Sequence, residues 1–297
     1  MFPNGNVARS AISRRNAIAR IIAAGLLPRL ASAEESRLGR DDVRIGTTPV
    51  FLDDQLNLLR SWRDYFEEQL RCKVSFVQRR SYQEITGLLL TDQIEVAWVC
   101  SPPYLMNASH LRLLCVPIYE GEPLYRSYII VPASDTHTHG MADLRGRVYA
   151  FSDPQSNSGC LIPKVELLRA GFTPEQFFLK FFFTYSHRRV VDAVSAGLAD
   201  GGSVDGYVWE TMKKELPGST DNTRVAWKSP KYGFPPIVAR ADLPEERFAS
   251  LQDAFVTMTD NQAGRDLLRK LNLDGFARES PHVFDSVQAN LKLVGDL

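Results

Sequence analysis

From Val43 onward, short apolar runs alternate with stretches in which apolar residues recur every three or four positions, the periods of strands and amphipathic helices. Val43–Thr47 reads as a strand ending in small polar residues. Residues 54–71 place Leu56, Leu59, Trp62, Phe66 and Leu70 on one helical face. Lys73–Val77 alternates as a strand, 81–91 is helical, and Ile94–Val99 is a strand broken by Pro102 and Pro103. Leu111–Tyr119 and Tyr125–Val131 are further strands. The pattern then restarts with strand Arg147–Phe151, helix 160–170, strand Phe181–Tyr185, helix 187–198, strand Gly202–Val204 and a helix opened by Asp205. Val225–Trp227 is strand-like, and the tail carries helices near 244–259, 261–271 and 281–293. Two such α/β blocks predict two lobes, each a mostly parallel sheet flanked by helices, with a ligand cleft between them. Residues 41–130 plus 232–297 are expected to form lobe 1 and residues 131–231 lobe 2, with hinges near 128–131 and 232–237. Phe177, Phe178 and Phe181–Phe183 read as lobe core.

Charge changes the picture at one end. The 297 residues hold 35 basic and 35 acidic side chains, which argues against a nucleic-acid partner. Residues 1–33, however, contain five Arg and no acid, leaving 30 basic against 35 acidic residues in the remainder. Arg14-Arg15 precedes a modest apolar stretch, Ala17–Leu27, and Ala31-Ser32-Ala33 has a small-x-small cleavage pattern. This predicts a twin-arginine export signal over 1–33 and a periplasmic mature protein. No uninterrupted apolar run is long enough for a membrane span.

In doubly wound sheets, ligands sit beyond the carboxyl ends of strands, at helix N-termini. The loop Ser156-Asn157-Ser158-Gly159 occupies such a place and offers hydroxyls and backbone N–H groups to an oxyanion without any Lys or Arg; ordinary helix capping would use the same residues. Thr47 and Thr48, Tyr104, His187 and Asp205 stand at equivalent strand ends. Asp205 would repel a fully ionised ligand but accept a proton from a protonated one. Cys72 and Cys115 read as packing residues. His137-Thr138-His139 has a metal-like spacing but only Asp135 nearby, so no metal is expected.

The segment Asp153-Pro154-x-Ser156-Asn157-Ser158-Gly159-x-Leu161-x-Pro163 resembles the signature loop of periplasmic phosphonate/phosphite/phosphate-binding proteins. Ser186-His187, Asp200–Asp205, Val96–Tyr104, Tyr125–Val131 and Trp227–Pro230 with Pro235–Val238 follow in the family's order, so the likeness covers roughly 43–275. It implies the type II periplasmic binding protein fold. It also puts Tyr104, Ser156, Asn157, Ser158, His187 and Asp205 on ligand-binding positions. The expected function is capture of a small oxyanion, without a cofactor, for a membrane ABC permease, by a monomer.

Two positions depart from the family pattern. Cys100 stands where Gly is common and Cys160 where an aromatic or aliphatic residue is common. Both are expected at the cleft, one per lobe, with the Cys160 thiol activated by a helix N-terminus. They read either as small semi-buried packing residues, as a disulfide, or as holders of a thiophilic oxyanion such as arsenite, in the manner of family members that signal to a membrane histidine kinase. Cys160, His187 and Asp205 also have the residue types of a nucleophilic set. The Ser-rich loop accounts for the site without bond cleavage, so no enzyme is expected.

Overall fold

A computed structural model of the protein describes residues 42–48 and 56–295. The expected export signal and its cleavage site lie outside these residues. Eleven strands within them form two sheets. The six-stranded sheet has the order β11-β4-β10-β3-β1-β2, with β1 Val43–Thr47, β2 Val74–Gln78, β3 Val96–Trp98, β4 Leu111–Ile118, β10 Ile237–Arg240 and β11 Gly275–Ala277. The five-stranded sheet has the order β7-β6-β8-β5-β9, with β5 Leu124–Pro132, β6 Val148–Phe151, β7 Lys180–Phe183, β8 Gly201–Asp205 and β9 Thr223–Gly233.

The helices are α1 Leu56–Leu70, α2 Tyr82–Leu90, α3 Ser101–Met106, α4 Ile162–Arg169, α5 Pro174–Phe177, α6 His187–Ser195, α7 Gly206–Glu215, α8 Glu245–Val256, α9 Gln262–Leu271 and α10 Asp285–Gly295. None among the described residues is long and apolar enough to cross a membrane. In α1 the buried side chains are Leu58, Trp62, Tyr65 and Phe66. Trp62 stacks on Phe76 and meets Trp98 and Phe255 edge-on, which fastens the helix to the first sheet. Phe177 and Phe178 lie in the second lobe's core with Tyr149 and Phe151, as expected.

Strands β1, β2 and β3 pair in parallel, as do β6, β7 and β8. Strands β5 and β10 each pair antiparallel to both of their neighbours, and β11 pairs antiparallel to β4. Strands β5 and β10 each adjoin a passage between the sheets, so their antiparallel pairing needs no helical crossover within one sheet. The expected lobe boundary at residue 130 falls inside β5, and that strand pairs in the five-stranded sheet from Leu124 to Pro132. By sheet membership the chain crosses at Tyr119–Pro123 and returns at Phe234–Pro236, where the Phe234 N–H donates to the Pro123 carbonyl. An apolar extended run does not reveal which sheet it will join.

Two local expectations also change. Pro102 and Pro103 do not merely end a strand. They occupy the first turn of α3, where a missing N–H costs nothing. Strand β9 continues far beyond Trp227, through Pro230 to Gly233. It lies at the sheet edge, the position that tolerates a proline.

Candidate functional site

The carboxyl ends of β1, β3, β6, β7 and β8 lead into the predicted residues. After β6 the chain bends through Ser152–Ser156 into a π-helical turn, Asn157–Leu161, before α4 begins. Such a turn widens the backbone by one residue and recurs at functional sites. The Ser156 hydroxyl accepts the Gly159 N–H at 3.0 Å and the Ser156 carbonyl accepts the Leu161 N–H at 2.9 Å. Ser127 and Ser203 hydroxyls donate to the carbonyls of Ser158 (2.6 Å) and Gly159 (2.9 Å), holding both against the sheet. All six of these residues are buried. Sequence-level capping by Ser156 is therefore real, and it leaves the next two side chains uncommitted at one oxygen each. The Ser158 Oγ and the Asn157 Oδ1 are buried without a hydrogen-bond partner.

Across from this loop stands Cys100, on the residue before α3. The Asn157 backbone N–H donates to the Cys100 Sγ at 3.1 Å, and the Asn157 Nδ2 donates to the Tyr125 hydroxyl at 3.0 Å. The Tyr82 N–H, opening α2, donates to Asp153 Oδ2 at 3.2 Å. The signature loop is thus tied to elements of the first sheet at Cys100 and Tyr82. Tyr82 and Tyr125 are both buried and their hydroxyl pKa values are held well above the ordinary range, first by burial and then by Cys100 and acidic neighbours including Asp205.

His187 and Asp205 are joined directly, the Asp205 N–H donating to His187 Nδ1 at 3.0 Å. The other ring nitrogen then carries the proton of the neutral ring. Burial lowers the His187 pKa from its ordinary 6.5 to about 3, so the ring stays neutral. Asp205 caps α7 through Oδ1, which accepts the Tyr207 N–H at 2.8 Å, while Oδ2 is buried and unpartnered. Burial pushes this carboxyl up to about 7. Thr47 ends β1 with its Oγ1 likewise buried and unpartnered. Helices α2, α6 and α7 begin in this region, so their positive dipole ends add to an environment that favours an anion.

The structure therefore brings together Cys100, Ser156, Asn157, Ser158, His187 and Asp205, and leaves Thr47 poised at the end of a neighbouring strand. Tyr104 is buried but turns its ring edge-on to Phe284, at 5.6 Å between centroids, as a packing residue does. Cys160 is not brought to the cluster. Its side chain packs among Ile129, Val131, Tyr149, Phe151 and Leu167 in the second lobe's core. The expected activation of its thiol is also reversed: burial raises the pKa to about 11, outweighing nearby Lys164. All four cysteines are free thiols. His137 and His139 flank a turn whose Asp135 is already engaged by two backbone N–H groups, the Thr138 hydroxyl and Arg147. No group of His, Cys, Asp or Glu suited to a metal ion occurs among the described residues.

Sequence reasoning missed Tyr82, Tyr125, Asp153, Ser127 and Ser203. Tyr82 had a usable signal, since it opens a helix just beyond a strand, as His187 does. Tyr125 and Ser127 sit on a strand flank, and only the pairing of β5 with β8 (Ser127 opposite Asp205) turns them to the site.

A family model described as "ABC transporter, phosphonate, periplasmic substrate-binding protein" matches residues 45–283. The chain belongs to this family. Its members are exported substrate-binding components of transporters rather than enzymes, so the phosphonate-binding likeness read from the signature loop holds along most of the chain. A relative named "Probable ABC transporter phosphite binding protein PhnD1", from Prochlorococcus marinus (strain MIT 9301), is 33% identical over 116 residues, 39% of each protein. The crystal structure of a PhnD1 from the same strain, in complex with methylphosphonate, superposes with a TM-score of 0.76 at 20% identity, covering 86% of this chain and 99% of that one. A binding protein component of an ABC phosphonate transporter from Pseudomonas aeruginosa gives a TM-score of 0.77 at 19% identity over 84% and 85% of the two chains. At these identities the two structures speak to the fold, which is that of two-lobed type II periplasmic binding proteins.

Proposed function

We propose that this phosphonate-family protein captures a small phosphorus oxyanion, of the phosphonate, phosphite or phosphate class, and delivers it to a membrane ABC permease. The observation that carries this reading is the set of buried, unpartnered side-chain oxygens on Thr47, Asn157, Ser158 and Asp205, all at strand ends beside helix N-termini. Buried polar atoms without partners are costly, and a bound oxyanion that keeps a proton supplies both kinds of partner, acceptors for the Thr47 and Ser158 hydroxyls and a donor for the Asn157 or Asp205 oxygen. Hydroxyls donate to its oxygens, while Asp205 shares a proton with a protonated ligand oxygen. Closure of the lobes about Tyr119–Pro123 and Phe234–Pro236 would then be the signal that the permease reads.

Titration calorimetry with methylphosphonate, phosphite and phosphate tests this directly. Ser158→Ala should weaken binding of whichever compound the wild type prefers by about 1–3 kcal/mol, the scale of a buried charge-assisted hydrogen bond. The fold should persist, because Ser156 and not Ser158 provides the cap. Unchanged affinity would remove Ser158 from the site, and no binding of any of the three would remove the function.

One observation favours a second reading, in which the ligand is arsenite and the partner a membrane histidine kinase. The Cys100 sulfur sits within the cluster, bonded to the signature loop. Arsenic prefers sulfur to oxygen ligands. Among the described residues only one thiol is available there, however, and burial pushes it up to about 12. Cys100→Ser separates the two readings: a hydroxyl keeps an acceptor for the Asn157 N–H, so phosphorus oxyanion affinity should stay within about threefold. Arsenite binding, if it is the function, should vanish. Arsenite binding that survives the substitution would end the thiol reading.

A further inference from the structure

Beside the cluster just described, at the edge where the two lobes meet, lies an open cavity of about 430 Å³. Its walls come from both lobes. Arg79 and Arg80 follow β2, and Tyr185, Ser186 and Arg189 stand at and within the start of α6. Three arginines line this space against one carboxylate residue, Glu84, whose Oε2 already accepts the backbone N–H groups of Arg80 and Ser81, and the Arg79 Nη1 donates to the Gln78 carbonyl at 2.8 Å. No carboxylate lies within ion-pair distance of Arg79, Arg80 or Arg189 among the described residues. Ser186 also lines the cavity. It is 4% exposed, and its Oγ is buried with no hydrogen-bond partner. Tyr185 adds an exposed aromatic face, held by a left-handed backbone (φ 58°) that fixes the turn into α6.

The cavity adjoins the inner site along the chain. Ser186 immediately precedes His187, and Arg80 is two residues before Tyr82. Consecutive Cα atoms lie about 3.8 Å apart, so the backbone that lines this cavity borders the backbone of the inner site. We propose that this cavity is an outer anion subsite, and that the ligand is an organophosphonate whose substituent ends in a second anionic group, a carboxylate or a second phosphorus oxyanion. The inference rests on the proposed capture of a phosphorus oxyanion by the inner cluster and specifies its substrate class. Arginine suits the role because its planar fork pairs two N–H groups with the two oxygens of such a group. A substituent ending in an ammonium group would face three positive charges.

Calorimetry at about 0.15 M salt, where long-range attraction is screened, decides the matter with three compounds: methylphosphonate, phosphonoacetate and 2-aminoethylphosphonate. Wild type should bind phosphonoacetate at least about tenfold more tightly than methylphosphonate, and 2-aminoethylphosphonate more weakly than either. In Arg79→Gln/Arg189→Gln the ratio of phosphonoacetate to methylphosphonate affinity should collapse toward unity. Arg189→Glu should shift the preference toward 2-aminoethylphosphonate, an effect that general loss of structure would not give. If methylphosphonate binds but phosphonoacetate gains nothing, or the margin survives in the double variant, the outer subsite is wrong while the inner one stands. If no phosphorus compound binds, the capture reading fails and this inference falls with it.

Discussion

Gly159→Ala is expected to cost about ten- to a hundredfold in oxyanion affinity. A Cβ built on Gly159 would lie 1.7 Å from the Ser152 Oγ and 2.7 Å from its Cβ. Rotating the Ser152 hydroxyl away still leaves the second clash, so one side of the π-helical turn must move. Ser152 is buried and cannot retreat. Overpacking of this kind costs about 1–3 kcal/mol. The strain falls on the turn that carries Asn157 and Ser158, where small displacements misdirect several ligand bonds together. Ser152→Gly in the same chain removes both clashing atoms and should restore most of the binding. Calorimetry of the two variants with methylphosphonate or phosphite, beside thermal unfolding, checks the expectation. Wild-type affinity in Gly159→Ala would mean that the close packing of Gly159 against Ser152 does not shape the site.

How far the sequence foretells this arrangement can be judged from particular residues. The alternation of periods locates nearly every strand and helix, and the rule that ligands sit at strand ends selects Ser156–Gly159, His187 and Asp205 without knowledge of any contact. Those residues share a local signal, a small polar or titratable side chain between an apolar run and an amphipathic stretch. The neighbours that complete the cluster have no local signal. Ser127 faces Asp205 because β5 pairs with β8, and Tyr125 reaches Asn157 through that same strand. Pairing between segments some 75 residues apart is a tertiary fact.

Cys160 shows the opposite limit. Its place in the signature loop suggests a cleft thiol activated by a helix dipole. The π-helical turn rotates successive side chains differently from an α-helix, and Cys160 ends among Tyr149, Phe151 and Leu167. Desolvation there exceeds the dipole's help, so the thiol is less acidic than a free one. Residue type and chain position are legible in the sequence, and the direction of this one side chain is not. Cys100, by contrast, sits directly between β3 and α3 with no irregular turn to redirect it, and its sulfur accepts the Asn157 N–H, although burial raises that thiol as well.

Asp205→Asn should leave a protein that is more stable than wild type at pH 8 and whose binding has lost one pH dependence. Burial raises the Asp205 carboxyl from 3.8 to about 7 in the folded protein. Below pH 4 the group is protonated in both folded and unfolded chains and carries no penalty. As pH rises from about 4 to about 7 the unfolded chain gains by ionising while the folded one does not, so stability is lost over that window and stays lost above it. A carboxyl displaced that far costs the folded state at most about 4 kcal/mol once the pH is above 7. Asparagine retains an acceptor for the Tyr207 N–H and is itself a good helix cap. It leaves an amide N–H₂ in place of the unpartnered Oδ2, at a cost of about 1–3 kcal/mol that does not depend on pH, so the net gain should be about 1–3 kcal/mol at pH 8 and should turn into a loss of about 1–3 kcal/mol near pH 4, where the carboxyl carries no penalty. His187 does not interfere, being neutral throughout this range. On the binding side, one proton shared between Asp205 and the ligand means that ionising both sets two negative charges against each other. The wild-type affinity should therefore fall relative to Asp205→Asn as pH rises above about 7, by up to about tenfold for each further pH unit. Taking the ratio of the two proteins at each pH cancels the ligand's own titration. Denaturant unfolding and calorimetry between about pH 4 and 9 measure both effects, and parallel pH profiles for the two proteins would show that Asp205 does not share the ligand's proton.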